Sequence, residues 1–390
     1  MASYSQSQPR YIKPTITHSS SHPLNPYTHL LSTLSSLLSE TYPHLPHLGP
    51  RDYSGLFYGP TSIAYLLFRL SLSHPELKAS DRTIEDWAEL YLGDRGLPGE
   101  KEIWPVDSTH CGIANERLSS LAVRAALKHD KACAINLLEY TDIVLSGEKA
   151  GSNELLFGKA GYLYLLKMVK RFVEDPKIQD AINKKILDTG NRILEFGPPW
   201  IWHGKQYLGA VHGEIGIITQ MLQAQPAFAP KVQAHLKKLL DLQMESGNWP
   251  SSLGESAKKD VLVQFCHGAP GFVASLLAIR QYVPELSAEI SEAIEKGRDT
   301  VWMRGLLTKE PCLCHGATGN ALCMDEERRE EMLRFGMEDV VREGLAKGTF
   351  VASSKPWGLY TGLAGRVWAW MALEGKGNEG IIGYSDLIDG

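Results

Sequence analysis

The chain alternates between two kinds of apolar pattern. Segments that follow a glycine-containing turn are apolar almost all round, as in residues 162–166 and 272–277. The segments between them are amphipathic: in residues 180–196, isoleucines recur on one face and charged side chains occupy the other. A helix that is apolar on every side is buried, whereas an amphipathic helix covers a core with one face. The pattern therefore predicts buried helices alternating with half-exposed ones.

The glycine turns divide the chain into seven repeats. They lie roughly 46 to 55 residues apart, which is room for two helices and two loops, and the copy at Gly112 is the weakest; the seven are Gly59, Gly112, Gly158, Gly213, Gly268, Gly316 and Gly362. Buried and half-exposed helices that alternate over seven repeats predict two concentric rings, an all-α fold of the α/α toroid type. A linear solenoid is the alternative, but its end repeats need polar outer faces, and the last repeat ends in an apolar Trp-Ala-Trp run.

One domain accounts for most of the chain. Residues 1–27 are rich in Ser, His and Pro, and we expect a flexible tail there. A first helix is predicted at about 28–41, and no further domain boundary appears within 28–390. In a toroid the glycine turns would converge on one end of the barrel. Side chains just before or within these turns would then share one cavity.

Composition excludes several classes of function. The formal net charge is −5 and no long basic run occurs, so we expect no nucleic-acid partner. The N-terminus lacks a secretory signal, Ala2 stands where N-myristoylation needs glycine, and no apolar run reaches the ~18–20 residues of a transmembrane segment. We therefore expect a cytoplasmic protein. Its six cysteines are too sparse for a disulfide scaffold, and clustered Cys and His in a reducing compartment favour metal binding or catalysis.

Two repeats carry a Cys-His-Gly sequence at the same position. Cys266-His267 and Cys314-His315 each precede the repeat glycine, where other repeats have Tyr, Phe, Val or Thr. Zinc binds Cys thiolates and neutral His, and a catalytic zinc keeps one coordination position open. Two ordinary buried thiols are the alternative. The residues alone leave open whether both histidines bind, giving a closed structural site, or only one, giving a reactive site.

Several motifs together resemble the lanthionine synthetase C-like family, and its eukaryotic members more than the bacterial lantibiotic cyclases. They are "QYLGAVHGEIGI", "NWPSS" followed by "QFCHGAPG", and "CLCHGATGNA", and the resemblance extends from about residue 50. It implies a barrel of seven inner and seven outer helices with one zinc per chain. Its implied ligands are Cys266, Cys314 and His315, which leaves His267 as a neighbour. Cys312 should face away from the metal if Cys314 points at it, as a packed thiol.

The resemblance also implies a reaction. Bacterial members add a cysteine thiol to a dehydrated Ser or Thr, and eukaryotic members add glutathione to dehydroalanine or dehydrobutyrine in proteins. We expect zinc to lower the pKa of the incoming thiol. The expected partners are glutathione and a dehydrated or phosphorylated protein or peptide.

Three more residues are candidates for the chemistry. Addition to an unsaturated amide produces an enolate that needs a proton, and His212 is the expected general acid. Glu154 would orient His212 or receive a proton, and Lys309 would hold a carboxylate of glutathione or the enolate oxygen. The alternatives are a helix-capping histidine, a solvated glutamate and a surface lysine.

Two positions depart from the family's pattern. Leu262 stands where the bacterial cyclases have an arginine, which argues against bacterial-type cyclisation, and Thr361 replaces an acidic residue of many eukaryotic members. The main alternative function is a non-catalytic scaffold that binds glutathione or a signalling partner and keeps a structural zinc. A terpene cyclase is disfavoured because the sequence has no Asp-rich motif. A prenyltransferase is disfavoured because it would use Asp, Cys and His on zinc instead of two Cys and one His.

Overall fold

The computed structural model describes residues 9–13, 24–94, 104–147, 149, 151–254, 259–375 and 380–387. Helices dominate these residues, and β1 (Lys78–Ala79) and β2 (Arg82–Thr83) form a small antiparallel hairpin with Lys78 opposite Thr83. The α-helices, in chain order, are α1 (Pro26–Thr41), α2 (Pro60–Ser73), α3 (Ile84–Leu92), α4 (Glu116–Lys128), α5 (Lys131–Glu139), α6 (Thr141–Val144), α7 (Lys159–Phe172), α8 (Pro176–Glu195), α9 (Glu214–Ala224), α10 (Ala229–Asp241), α11 (Ala269–Ile279), α12 (Ser287–Arg304), α13 (Ala317–Ala321), α14 (Glu326–Leu333), α15 (Glu338–Ala346) and α16 (Leu363–Glu374).

Seven of these helices form a closed inner ring. Each of α2, α4, α7, α9, α11, α13 and α16 packs against the next, and α16 packs against α2. They are buried on nearly all sides; every residue of α11 except Leu277 is buried. An outer helix packs against each inner one: α3 on α2, α5 on α4, α8 on α7, α10 on α9, α12 on α11, α14 on α13 and α1 on α16. This confirms the predicted α/α toroid.

The outer helices bury one face only, as their amphipathic pattern predicted. In α8, the four buried isoleucines Ile178, Ile182, Ile186 and Ile193 recur every four to seven residues, and lysines occupy the other face. The α8 N-terminus is capped by Asp175, whose carboxylate accepts the Lys177 and Ile178 N–H groups at 3.0 and 3.2 Å. None of the described helices combines the length and the hydropathy that a bilayer crossing demands.

Backbone hydrogen bonds join the turns that precede the inner helices. Along most of the ring, an N–H group in one turn donates to a carbonyl in the next at 2.8–3.1 Å: Leu56 to Ile113, Ile113 to Leu155, Leu155 to Val211, Cys266 to Cys314, Cys314 to Tyr360 and Tyr360 to Phe57. All these turns therefore lie at one end of the barrel. Side chains at the same position of successive repeats are held next to one another.

Close backbone packing explains the second glycine of each Gly-x-x-Gly turn. A Cβ atom on Gly216 would lie 1.9 Å from the carbonyl oxygen of Ala210, and one on Gly319 would lie 1.8 Å from that of Leu313. Both carbonyls belong to the turn that precedes the same helix. A side chain at either position would push the helix away from its own turn.

The second repeat differs from the prediction at Gly112. The residue that directly precedes α4 is Asn115, so Asn115 occupies the repeat position that glycine holds in the other turns. Its side chain accepts the Leu118 N–H group at 3.0 Å. Asparagine is a strong helix N-cap, so this turn does not need glycine there. Gly112 lies three residues earlier in the turn.

Part of the expected N-terminal tail is paired with the barrel. The Ile12 N–H group donates to the Leu306 carbonyl at 2.7 Å, and the Thr308 N–H group donates to the Arg10 carbonyl at 3.1 Å. Residues 9–13 thus add a short extended segment beside the turn that leads to α13, and α1 begins at Pro26. The rest of the predicted tail, residues 1–8 and 14–23, lies outside the described residues.

A C-terminal segment, residues 380–387, lies inside the inner ring. Its Asp386 is 1% exposed and accepts hydrogen bonds from the hydroxyls of Tyr65 on α2 and Tyr164 on α7, at 2.7 and 2.6 Å. The Arg69 guanidinium lies 3.7 Å from the same carboxylate. Nearer the turns, the Tyr384 hydroxyl donates to the Ala210 carbonyl. The segment therefore fills the middle of the barrel and bonds to α2 and α7, which are not consecutive in the inner ring.

We expect Asp386→Ala to destabilise the fold strongly. The change leaves the buried Arg69 without its carboxylate, and breaking a buried ion pair costs about 3–5 kcal/mol. Urea unfolding followed by circular dichroism measures the loss. The control is Lys237→Ala, which removes the exposed Lys237–Asp241 pair and should leave the unfolding midpoint unchanged. Equal stability of Asp386→Ala and the wild type would contradict the role given to this segment.

Candidate functional site

Three neighbouring turns carry the candidate residues. His212, His267 and His315 each directly precede the glycine that starts α9, α11 and α13, and Cys266 and Cys314 each come one residue earlier. The Cys266 N–H group donates to the Cys314 carbonyl at 3.1 Å, which fixes the two turns side by side. The positions that matched in the sequence are therefore adjacent in space.

The thiols of Cys266 and Cys314 are in contact. Both side chains are buried, at 6% and 5% exposure. The hydrogen bond between the two thiols lowers the pKa of Cys266 well below its usual value and raises the pKa of Cys314. The Gln264 side-chain amide also donates to the Cys266 sulfur at 3.1 Å. The two turns thus present two soft sulfur donors side by side.

Cys312 is a buried thiol, as expected, and it interacts with His315. Burial opposes its ionisation, but the charge of His315 and hydrogen bonds from it outweigh burial and lower the pKa of Cys312. In return, the negative charge of Cys312 raises the pKa of His315 against the effect of burial. That Cys312 is not a metal ligand stays a prediction, and its contact with the half-buried His315 ring is a feature that the sequence did not indicate.

His267 lies between this cluster and His212. Burial lowers its pKa, and its buried Nδ1 atom has no hydrogen-bond partner among the described residues. Its ring centroid is 6.0 Å from that of His212 and 5.8 Å from that of Tyr207. Within the described ranges, no three His, Cys, Asp or Glu side chains converge closely enough to hold a metal ion as they stand.

His212 and Glu154 form a dyad. His212 Nδ1 lies 2.8 Å from Glu154 Oε2, and the two side chains are 19% and 1% exposed. The glutamate also accepts the N–H groups of Leu156 and Phe157 and the Ser152 hydroxyl. Because these donors occupy both of its oxygens, Glu154 acts as an acceptor and His212 Nδ1 carries the hydrogen. His212 Nε2 is therefore the atom left for chemistry. The structure thus brings together two of the predicted catalytic residues.

Lys309 lies beside the thiol cluster. It directly precedes the buried Glu310, and its backbone bridges to Val351. Its positive charge acts on Cys314 and His315, as well as on His267 and Cys312. The half-buried lysine is thus within electrostatic reach of the site and is not a remote surface residue.

Sequence reasoning missed two residues of the site. Gln264, whose amide contacts the Cys266 sulfur, stands two residues before it in the same motif. Trp202 stacks on His212 with ring centroids 4.3 Å apart. A signal for Trp202 existed: "WHGK" places two turn-forming residues, His203 and Gly204, directly after an aromatic one. That pattern indicates a tight hairpin close to the motif containing His212.

Comparison with known proteins gives consistent results. The profile of the "Lanthionine synthetase C-like protein" family matches residues 107–381. The chain is 30% identical over 319 residues to "Glutathione S-transferase LANCL1" of Danio rerio, covering 75% of this chain and 74% of that protein. It is 28% identical over 275 residues to "LanC-like protein GCL1" of Arabidopsis thaliana, covering 64% of this chain and 62% of the relative, under two thirds of its length.

A solved structure has the same fold. The chain superposes on "Nisin cyclase" with a TM-score of 0.63, covering 90% of this chain and 95% of that one, at 14% sequence identity. At this identity the likeness shows the fold alone. It is the arrangement expected from seven repeats of paired helices.

The cysteines should differ in reactivity. Burial raises the pKa of Cys111, Cys133 and Cys323 to about 12, whereas Cys266 has a lowered pKa. The thiolate is the nucleophile, so iodoacetamide at pH 7.5 should label Cys266 first after treatment with a chelator. Peptide mass spectrometry identifies the labelled residue. Labelling of Cys111 or Cys323 ahead of Cys266 would contradict the lowered pKa of Cys266.

Proposed function

Because the chain belongs to the lanthionine synthetase C-like family, we propose that it catalyses zinc-dependent addition of glutathione to dehydroalanine or dehydrobutyrine residues, forming a thioether. The observation that carries the proposal is the His212–Glu154 dyad beside the contacting thiols of Cys266 and Cys314. The relative named as a glutathione S-transferase supports the choice of thiol. The substrate is a dehydrated protein or peptide, or a phosphorylated precursor of one, and the proposed compartment is the cytoplasm.

The donor set suits zinc. Two contacting thiols, one of them with a lowered pKa, would supply the thiolates that zinc prefers, and a neighbouring imidazole would complete a Cys₂His set. We assign the ligands to Cys266, Cys314 and His315, with Cys312 acting on His315. Zinc bound there would lower the pKa of a thiol that occupies its remaining coordination position.

The chain's own residues supply the proton. Addition of the glutathione sulfur to the β-carbon of the unsaturated residue moves the double-bond electrons onto the carbonyl as an enolate. A proton from His212 Nε2 to the α-carbon completes the thioether. Glu154 keeps the hydrogen on Nδ1 and stabilises the imidazolium, as a carboxylate does beside a catalytic histidine. The proton that glutathione loses restores the imidazolium, so protons balance over a turnover.

Lys309 is the proposed anion-binding group. It is the lysine whose charge acts on the thiol cluster, and glutathione carries two carboxylates. A lysine here would hold one carboxylate while the sulfur reacts, or would stabilise the enolate oxygen.

Zinc content tests the ligand assignment. The purified protein should hold about one zinc per chain, and Cys266→Ala, Cys314→Ala and His315→Ala should lose it. His267→Ala and Cys312→Ala should keep it, because these residues lie beside the proposed ligand set and not within it. Elemental analysis of the purified variants measures the content. If His267→Ala loses zinc as completely as Cys266→Ala, the site is closed by four ligands and structural.

Turnover tests the proton donor. The zinc-loaded protein is incubated with glutathione and a dehydroalanine peptide, and the adduct is quantified by mass spectrometry. His212→Asn should lower turnover by about 10²–10⁴-fold, the usual contribution of general acid catalysis, and should keep zinc content and glutathione affinity. Glutathione binding without adduct formation by the wild type would favour a non-catalytic scaffold over the enzyme.

A further inference from the structure

A β-hairpin that this mechanism does not use lies against His212. The Trp202 N–H group donates to the Lys205 carbonyl at 2.9 Å, and the Lys205 N–H group donates back to the Trp202 carbonyl at 3.0 Å. His203 and Gly204 between them have φ values of +46° and +73°. Positive φ at both central residues is the requirement of a type I′ two-residue turn. The hairpin is therefore a defined element, and His203 adopts the left-handed conformation to make it.

The base of the hairpin is fixed to the inner ring. Glu214, in the first turn of α9, is fully buried. It accepts the Trp200 N–H group at 3.1 Å and the Gln206 side-chain amide at 3.2 Å. Residues 206–208 also pair with residues 251–253 through backbone hydrogen bonds. Glu214, which follows the repeat glycine Gly213, thus holds both strands of the hairpin next to His212, which precedes that glycine.

The anchored hairpin holds an indole flat on the imidazole. The Trp202 and His212 planes are 5° apart with centroids at 4.3 Å. Phe157 is parallel to both rings, and the Tyr207 ring meets Trp202 edge-on at 5.7 Å. Glu154 fixes one atom of the imidazole, Nδ1, and the indole fixes the plane of the ring. These two restraints together define the direction in which Nε2 points.

We propose that Trp202 is a positioning residue for His212. An imidazole held only through Nδ1 can pivot about that hydrogen bond, and a misplacement of about 1 Å can cost a catalytic step on the order of 10²-fold. The indole removes this pivot. The proposal rests on the proposed function, since it assigns the direction from which the proton reaches the α-carbon. Because Trp202 acts on the acid and not on glutathione, its loss should change kcat and not KM.

Kinetics of three variants test the role. Trp202→Ala should lower kcat by about 10- to 100-fold while the KM for glutathione and the zinc content stay at wild-type values. Trp202→Phe should recover most of kcat, because a phenyl ring still stacks on the imidazole. The matched control is Ile201→Ala: Ile201 is the preceding residue, is 54% exposed and points to the opposite face of the strand. It should turn over like the wild type.

Nuclear magnetic resonance supplies a readout that needs no turnover. In protein with isotope-labelled histidine, the stacked indole should shift the His212 ring protons upfield, with His212→Asn identifying the signals. Trp202→Ala should abolish the shift. Coincident His212 signals in wild type and Trp202→Ala would overturn the proposal, as would wild-type kcat in Trp202→Ala. A wild-type protein that forms no adduct would instead overturn the proposed function. If the upfield shift of the His212 ring protons were still present in that protein, the stack would serve another purpose.

Discussion

The site depends on the backbone hydrogen bonds that connect one repeat turn to the next. These bonds join main-chain groups, so they form regardless of which side chains the turns carry. This leaves the residues before each repeat glycine free to vary, and function-bearing side chains on a rigid scaffold are the usual result. Cys266 and Cys314 are adjacent through one such bond at 3.1 Å, although 48 positions separate them. The two cysteines are close together because they occupy the same position in adjacent turns of the ring.

The turns before α9, α11 and α13 have the same backbone arrangement but differ in the charged groups around their histidines. The histidine turn of α9 faces the buried carboxylate of Glu154, which lies 2.8 Å from the ring Nδ1. The turn of α11 offers no such carboxylate, and burial lowers the pKa of His267. The turn of α13 places His315 beside Cys312, which raises the pKa of the ring. Three histidines at one repeat position thus have three different electrostatic surroundings.

The sequence was enough to predict the fold and to locate the turns, because many residues together form the repeat period and the pattern of buried positions. The sequence did not predict features that depend on a single side-chain contact. Gly112 matched the repeat glycine by type, but Asn115 caps the helix. The side-chain contact between Cys312 and His315 depends on rotamers that no spacing predicts. Trp202 stacks on His212 only because a hairpin folds back over α9, and that geometry requires the buried carboxylate of Glu214.

The placement of the two chain ends bears on how the protein reaches its native state. The first helix packs on the last inner helix, and Asp386 binds tyrosines on α2 and α7. These contacts join residues more than 200 positions apart, and such non-local contacts form slowly. Closing the ring therefore requires α16 and residues 380–387 to pack against helices from the first half of the chain. An open ring exposes the apolar faces of its inner helices, and intermediates with such exposed surface are prone to aggregate.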